Sequence, residues 1–222
     1  MSAAALPVAQ DPSRIGHHNS DGMGMDAASQ SEGGPATVRI IVGYGFWIFL
    51  LSDIVMFSAF FAAYAVLSHA SADGPSARQL FDLRSVALET GCLLASSFTC
   101  GMASLAVAKR NQLWTQFSLI ITGVLGLCFL LLEAREFAGL VARGAGPARS
   151  AFLSAFFTLV GCHGLHITAG LLWLGTMMAQ FYAKGFRQNI RYRFLCFSLF
   201  WHALDIIWVA IFTVVYLIGV ST

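Results

Sequence analysis

Five ionisable residues lie deep inside long apolar stretches of the sequence: Asp53, His163, His166, His202 and Asp205. Carboxyl groups and imidazoles in such surroundings serve hydrogen bonding between helices, proton transfer or, for neutral imidazole, binding of a transition metal or haem. Hydrogen bonding has the strongest general support, because buried polar groups are normally paired. A metal site has the weakest, because HxxH on one segment and HxxD on another come without a flanking motif that specifies a metal.

The five residues fall in one layer if their segments are helical. At 1.5 Å per residue, Asp53 lies about 20 Å from the start of its segment, and the other four lie about 12 to 22 Å from theirs. A charged aspartate at the centre of a bilayer costs about 2.5 to 3.5 kcal/mol on insertion scales. We therefore expect both aspartates to face the interior of a helix bundle, with histidines as their partners.

Helical spacing supports this inward placement. His202 precedes Asp205 by three residues, which makes the two neighbours on one helix. Two stripes recur at the spacing of a single helix face. They are Trp201, Asp205, Trp208 and Phe212 in one segment, and His163, His166, Gly170 and Trp173 in another.

The segments that carry these residues have the composition of membrane spans. Of the 222 residues, 57% are hydrophobic and 11% are charged, against roughly 45 to 50% and about 25% in globular proteins. Five windows hold only Asp53, Glu89, Glu133 and Asp205 as formal charges, and each reaches the roughly 20 residues that a bilayer-crossing helix needs. The windows are 40–69, 85–108, 113–134, 151–183 and 194–219.

The sequence thus predicts an all-α integral membrane protein, a bundle of five transmembrane helices. Residues 38–222 form this domain, and residues 1–37, rich in Ala, Gly, Ser, Pro and Asp, are expected to be a disordered polar tail. A nucleic-acid binder and a typical cytosolic enzyme are excluded by the scarcity of charge. Gly123 with Gly126, and Gly161 with Gly164, are expected to let helices approach closely.

The distribution of Lys and Arg predicts the orientation. An odd number of spans puts eight of the thirteen basic residues on the side of the N-terminus and five on the other side. Because positive charge is retained in the cytoplasm, we expect a cytoplasmic N-terminus and a periplasmic C-terminus.

Two short motifs resemble a known family. The run Gly161-Cys-His-Gly-Leu-His166 looks like the fourth-helix signature of subunit III of haem-copper respiratory oxidases, and Phe200-Trp-His-Ala-Leu-Asp205 resembles the final helix of that family. Trp47 to Tyr64, where Asp53 stands in place of the family's buried membrane carboxylate, and Leu132 to Phe137 agree in order. The resemblance covers essentially residues 45–219.

Within the family, the five-helix form is similar to subunit III of the cytochrome o (bo-type) ubiquinol oxidase. Asp53, where the cytochrome c branch commonly has Glu, and the segment from Gly146 to Phe157 also look like the quinol-oxidase version. The resemblance implies ubiquinol as the electron donor of the complex. The alternatives are subunit III of a menaquinol or cytochrome c oxidase.

The resemblance implies a non-redox accessory subunit of a proton-pumping terminal oxidase in the bacterial inner membrane. Haems, copper and the quinol site would belong to subunit I, with subunit II and a small subunit IV as further partners. No cofactor or metal is expected in this chain, because three histidines in the interior of its spans are too few for that redox centre. The chain would hold phospholipid, help oxygen to reach the core through it, and protect the core during turnover.

The resemblance also suggests roles for particular residues. Asp53 is expected to hydrogen-bond His166 or His163, while His202 and Asp205 tie the last helix to the same layer. Glu136 stands at the position of the family's acidic residue at the outer end of the third span. A stand-alone proton-coupled transporter is a more remote alternative, since the inverted repeats and interrupted helices of transporters are not visible here.

Overall fold

The computed structural model describes residues 38–67 and 83–218, and in this part of the chain it contains five long helices. All five are long and apolar enough to cross a bilayer, which confirms the predicted number. Residues 1–37, the predicted polar tail, lie outside the described residues. The helices are α1 (Val38–Leu67), α2 (Leu83–Ala108), α3 (Gln112–Ala142), α4 (Ala151–Lys184) and α5 (Gln188–Ile211), which continues as a π-helical segment (Phe212–Ile218).

Two of the helices extend well beyond their apolar windows. α3 continues eight residues beyond Ala134, the end of its window, and α5 begins six residues before Phe194. The windows stop where charges begin, whereas backbone hydrogen bonding continues past a charged residue. The spans contain 25 to 34 residues, longer than the about 20 that cross a ~30 Å hydrocarbon core, so their ends extend into the head-group region.

Local signals fix the helix ends. The Asn111 side chain accepts a hydrogen bond from the Trp114 N–H at the start of α3, and Ser150 Oγ does the same for the Leu153 N–H at the start of α4. These caps satisfy N–H groups that have no partner within the helix. α4 ends at Gly185, whose φ of +64° suits a residue without Cβ. The short loop at residues 109–111 makes α2 and α3 an antiparallel hairpin.

Four of the helices close into a ring, and α1 lies outside it. α2 packs against α3 and α5, and α4 packs against the same two helices. α1 contacts α4 and α5 through a seam of Leu50, Phe57 and Tyr64, each at most 3% exposed, at seven-residue spacing. This seam is the periodicity by which one helix buries a single stripe against others.

Glycines allow the ring to close around one large side chain. Trp201 of α5 is 1% exposed, and its ring lies between α3 and α4. A Cβ atom at Gly126 would lie 3.0 Å from Cη2 of Trp201, and one at Gly170 would lie 2.9 Å from Cζ3. Gly123 meets Leu174 in the same way, at 2.9 Å. The expectation that Gly123 and Gly126 permit close approach is therefore confirmed.

Candidate functional site

A row of polar contacts joins α2 to α5 through the membrane span. Trp201 Nε1 donates to Ser96 Oγ at 3.1 Å, and one residue further on His202 Nδ1 and Ser97 Oγ are hydrogen-bonded at 2.6 Å. We call this row the polar seam. Its four contacts are Thr90–Trp208, Ser96–Trp201, Ser97–His202 and Ser104–Ser198.

Hydroxyl groups in the polar seam serve two partners at once. Thr90 Oγ1 accepts from Trp208 Nε1 at 3.0 Å and donates to the Val86 carbonyl of its own helix at 2.8 Å. Ser96 Oγ likewise accepts from Trp201 and donates to the Leu93 carbonyl. Such pairing lets polar side chains lie inside an apolar bundle without losing hydrogen bonds.

Asp205 joins the polar seam, as its spacing from His202 suggests. Its carboxylate lies near Ser97 and within electrostatic range of His202. The side chain is half-buried, and Oδ1 is buried without a hydrogen-bond partner in the described part of the chain. The structure thus brings Ser97, His202 and Asp205 together at the interface of α2 and α5.

His163 is enclosed by aromatic rings. It is fully buried, stacks on Trp208 with ring centroids 5.1 Å apart, and meets the edges of Phe129 at 5.8 Å and Phe57 at 6.3 Å. Neither of its ring nitrogens makes a hydrogen bond to any residue that the structure describes. In this structure His163 of α4 therefore packs against aromatic rings of three other helices, α1, α3 and α5.

The expected hydrogen bond between Asp53 and His163 or His166 is not formed. His166 Nδ1 is 2.8 Å from the Cys162 carbonyl of its own helix. The α1 residue that contacts the imidazoles of His163 and His166 is Phe57, one turn after Asp53. Its ring centroid lies 5.3 Å from that of His166. Asp53 is half-buried, and it lies within electrostatic range of the Cys162 thiol. The rotation of α1 thus places an aromatic ring where a carboxylate was expected.

A second polar group, which the argument from a central layer missed, lies nearer one end of the bundle. Glu89 of α2 is 1% exposed and Glu133 of α3 is 4% exposed. Both lie within electrostatic range of Glu136, and Tyr216 of the π-helical segment is close to all three. We call Glu89, Glu133 and Glu136 the acidic cluster. The available signal was that Glu89 and Glu133 are two of only four charges in the apolar windows.

Gly164 belongs to the site because of Glu133. A Cβ atom at position 164 would lie 2.7 Å from Glu133 Oε1 and 3.1 Å from Oε2. The carboxylate of α3 thus lies directly against the backbone of α4, which no other residue type at position 164 would permit without displacement. Gly161, one turn earlier, makes only an ordinary contact of 3.6 Å with Phe137.

The described residues include no group of three or more His, Cys, Asp and Glu side chains placed to hold a metal ion. The imidazoles are instead divided among an aromatic cage, a backbone carbonyl and a serine hydroxyl. The arrangement is therefore suited to joining helices through buried hydrogen bonds.

Comparison with known proteins relates this arrangement to a family. A sequence model of the family described as cytochrome c oxidase subunit III matches residues 24–220, nearly the whole chain. The chain belongs to this family. The match confirms the resemblance carried by the motifs of α4 and α5.

Relatives of this subunit III chain come from quinol oxidases. "Cytochrome bo(3) ubiquinol oxidase subunit 3" of Pseudomonas aeruginosa is 50% identical over 176 residues, 79% of this chain and 84% of the relative. The protein of the same name from Buchnera aphidicola subsp. Schizaphis graminum is 44% identical, over 80% of this chain and 94% of the relative. "Quinol oxidase subunit 3" of Bacillus subtilis is 40% identical, over 80% of this chain and 87% of the relative.

Proposed function

We propose that the chain is the non-redox accessory subunit III of a proton-pumping ubiquinol oxidase. Two relatives named as ubiquinol oxidase subunits are 50% and 44% identical to it, whereas the relative named only as a quinol oxidase subunit is 40% identical. The higher sequence identity to the ubiquinol oxidase subunits favours ubiquinol over menaquinol as the electron donor of the complex.

The single observation that supports the accessory role is that the three intramembrane histidines already contact other groups of this chain. His163 is caged by rings, His166 bonds its own helix and His202 bonds Ser97. Each imidazole contributes to helix packing, and ligation of a metal would require these contacts to be broken. In this proposal the haems, copper and ubiquinol are held by subunit I, and the chain stabilises that subunit.

The proposal includes subunit II and a small subunit IV as further partners and the bacterial inner membrane as the location. The outer faces of the five helices are largely apolar, with large side chains such as Val55, Phe98 and Leu165 exposed. Such faces suit contact with lipid tails or with another membrane subunit. Phospholipid held along these faces would form part of the role of the chain.

The excess of Lys and Arg on the side of the N-terminus, eight against five, supports a cytoplasmic N-terminus and a periplasmic C-terminus. The test starts from a variant in which the five native cysteines are replaced, and introduces a single cysteine at either the N-terminus or the C-terminus. Intact cells are then labelled with a membrane-impermeant, thiol-reactive reagent. Labelling of the C-terminal site alone is expected. Labelling of the N-terminal site alone would reverse the orientation.

Co-purification tests the functional proposal. The affinity-tagged chain is extracted in mild detergent, every bound chain is identified by mass spectrometry, and a visible spectrum is recorded. We expect a haem-bearing catalytic subunit in the complex and a colourless chain once the partners are removed. A haem spectrum from the separated chain would contradict the accessory role, as would substrate-dependent proton flux in vesicles that contain the chain alone.

A further inference from the structure

Two cysteine side chains meet on the α2–α3 hairpin. Cys92 Sγ of α2 and Cys128 Sγ of α3 lie 4.0 Å apart. Cys92 lies sixteen residues before Ala108, the end of α2, and Cys128 lies sixteen residues after Gln112, the start of α3. Because the two helices run antiparallel from one short loop, equal separations from the loop bring these two positions to the same level.

The pair lies near the middle of α3 and reaches the outer surface. Cys128 is about 24 Å along the helix from Gln112 and about 21 Å from Ala142, the two ends of α3. Cys128 is exposed and Cys92 is half-buried. Val124 and Leu131, one turn before and one turn after Cys128, are exposed as well. The two thiols therefore border an apolar surface at the depth of the hydrocarbon core.

The other three cysteines have different surroundings. Cys100 and Cys196 are buried, so a molecule in the membrane has little access to them. Cys162 Sγ lies 3.8 Å from His166 Nδ1, one turn further along its own helix, and thus faces a ring nitrogen. These three thiols serve as internal controls for any chemistry assigned to Cys92 and Cys128.

Two thiols in contact can bind a soft metal ion or form a disulfide. A structural zinc site takes four ligands, and the described residues include no group of three or more His, Cys, Asp and Glu side chains placed to hold a metal ion. A disulfide needs only the two sulfurs, whose separation would fall from 4.0 Å to about 2.05 Å. Each sulfur would move by about 1 Å, which rotation about the side-chain bonds can supply. The geometry therefore favours oxidation of the pair over metal binding.

The depth of the pair restricts the oxidant. Charged oxidants such as oxidised glutathione are excluded from the hydrocarbon core, because transfer of an unpaired charge out of water is strongly unfavourable. A quinone dissolves in that core and accepts two electrons together with two protons. Quinone is also the oxidant behind the dithiol pathway that keeps the bacterial periplasm oxidising. In the proposed function the complex oxidises quinol, so a quinone is produced in the same membrane.

We propose that Cys92 and Cys128 form a redox site at which a membrane quinone oxidises the two thiols to a disulfide. Two S–H bonds break and one S–S bond forms between α2 and α3. The two electrons and two protons released convert both carbonyl oxygens of the quinone to hydroxyl groups, which gives quinol. The disulfide ties the two helices together in a membrane rich in quinone. The inference goes beyond the accessory role and rests on the proposed function only for the source of the quinone.

The test follows the thiols of the full-length chain. The reduced protein is reconstituted in liposomes without oxygen, decylubiquinone is added, and the protein is then unfolded in a maleimide and analysed by mass spectrometry. We expect the free thiols to fall from five to three, with a peptide that joins Cys92 to Cys128 and an equivalent amount of quinol. Retention of all five thiols would overturn the proposal. Oxidation of the pair at the same rate by oxidised glutathione would also overturn it, because the thiols would then be open to water.

Single cysteine variants separate this pair from general thiol oxidation. Cys92→Ser and Cys128→Ser should each keep all four remaining thiols and form no quinol. Cys162→Ser is the matched control and should lose two of its four thiols, as the wild type loses two of five. Thiol loss in Cys92→Ser equal to that in the wild type would contradict the assignment to this pair. Circular dichroism verifies that each variant is folded.

The same measurement on the co-purified complex distinguishes the two proposals. We expect the pair to be oxidised there as well, and protection of both thiols by a partner subunit would overturn the redox site. A chain that retains its oxidase partners but is not oxidised by the quinone overturns only the redox site. A chain that is oxidised at Cys92 and Cys128 but has no oxidase partners overturns only the proposed function.

Discussion

The ring of Trp201 lies so close to Gly170 that a Cβ atom there would stand 2.9 Å from Cζ3. The other edge of the same ring meets Gly126, and its Nε1 donates to Ser96. One side chain of α5 therefore contacts α2, α3 and α4 at a single level. At two positions of the closed four-helix ring, a side chain larger than hydrogen would require the Trp201 ring to shift.

Gly170→Ala is expected to lower the free energy of unfolding by about 1 to 3 kcal/mol, the usual cost of overpacking a filled core. Unfolding in mixed micelles with increasing dodecyl sulfate measures the change. Gly175→Ala on the same helix is the matched control, because within the described residues no atom beyond its own stretch of helix lies within 4 Å of a Cβ there. That control should be neutral or slightly stabilising, since alanine favours helix by up to about 1 kcal/mol over glycine. Similar losses in both variants would contradict the close packing of Trp201.

The contact between Glu133 and Gly164 predicts coupling between two helices. Gly164→Ala should be destabilising in the wild type because the new methyl group meets the carboxylate of Glu133. In a Glu133→Ala background the same change should cost less, with a coupling energy of about 0.5 to 3 kcal/mol. The measurement is a double-mutant cycle of unfolding free energies, with Gly161→Ala as a control for alanine at an ordinary contact. Additive effects of Gly164→Ala and Glu133→Ala would show that the two residues do not touch.

The polar seam is tested at its shortest contact. Ser97→Ala removes the partner of His202 Nδ1, which lies 2.6 Å away, and leaves Asp205 without its hydroxyl neighbour. Hydrogen bonds between helices in membranes contribute about 0.5 to 2 kcal/mol, and we expect a loss of this size. Ser58→Ala serves as the control, because Ser58 Oγ bonds the Ile54 carbonyl on an exposed face of its own helix. If Ser97→Ala cost no more than Ser58→Ala, the seam would not stabilise the bundle.

Composition was sufficient to predict the number of helices, because a bilayer span needs an unbroken apolar stretch and the chain contains five of them. The helix ends were less predictable. Arg135 and Glu136 closed an apolar window but not the helix that contains them, since α3 continues to Ala142. A charged residue near the head groups breaks the hydropathy pattern without breaking the backbone hydrogen bonds.

The site was predictable only where its partners share one helix. The three-residue spacing of His202 and Asp205 correctly placed them together, but spacing does not reveal the rotation of one helix relative to another. Asp53 was therefore assigned to the imidazoles of α4, which Phe57 meets instead. The acidic cluster was not predicted as a group, because Glu89 and Glu133 lie outside the central layer on which the argument concentrated. Glu136 alone was named, from the Leu132 to Phe137 segment that also contains Glu133.

The position of Asp53 leads to a prediction that differs from the sequence-based one. Residues that touch usually show non-additive effects, whereas residues without a shared contact add within about 0.3 to 0.5 kcal/mol. Because His166 Nδ1 bonds the Cys162 carbonyl and Phe57 meets the ring, Asp53 and His166 are related only through their common neighbour Cys162, and the coupling energy of Asp53→Asn with His166→Gln should stay below about 1 kcal/mol. In the purified complex, Asp53→Asn should also leave the haem spectrum unchanged, as expected for a chain without a redox centre. A coupling energy above about 1 kcal/mol would restore the direct pair, and loss of haem absorbance would contradict the accessory role.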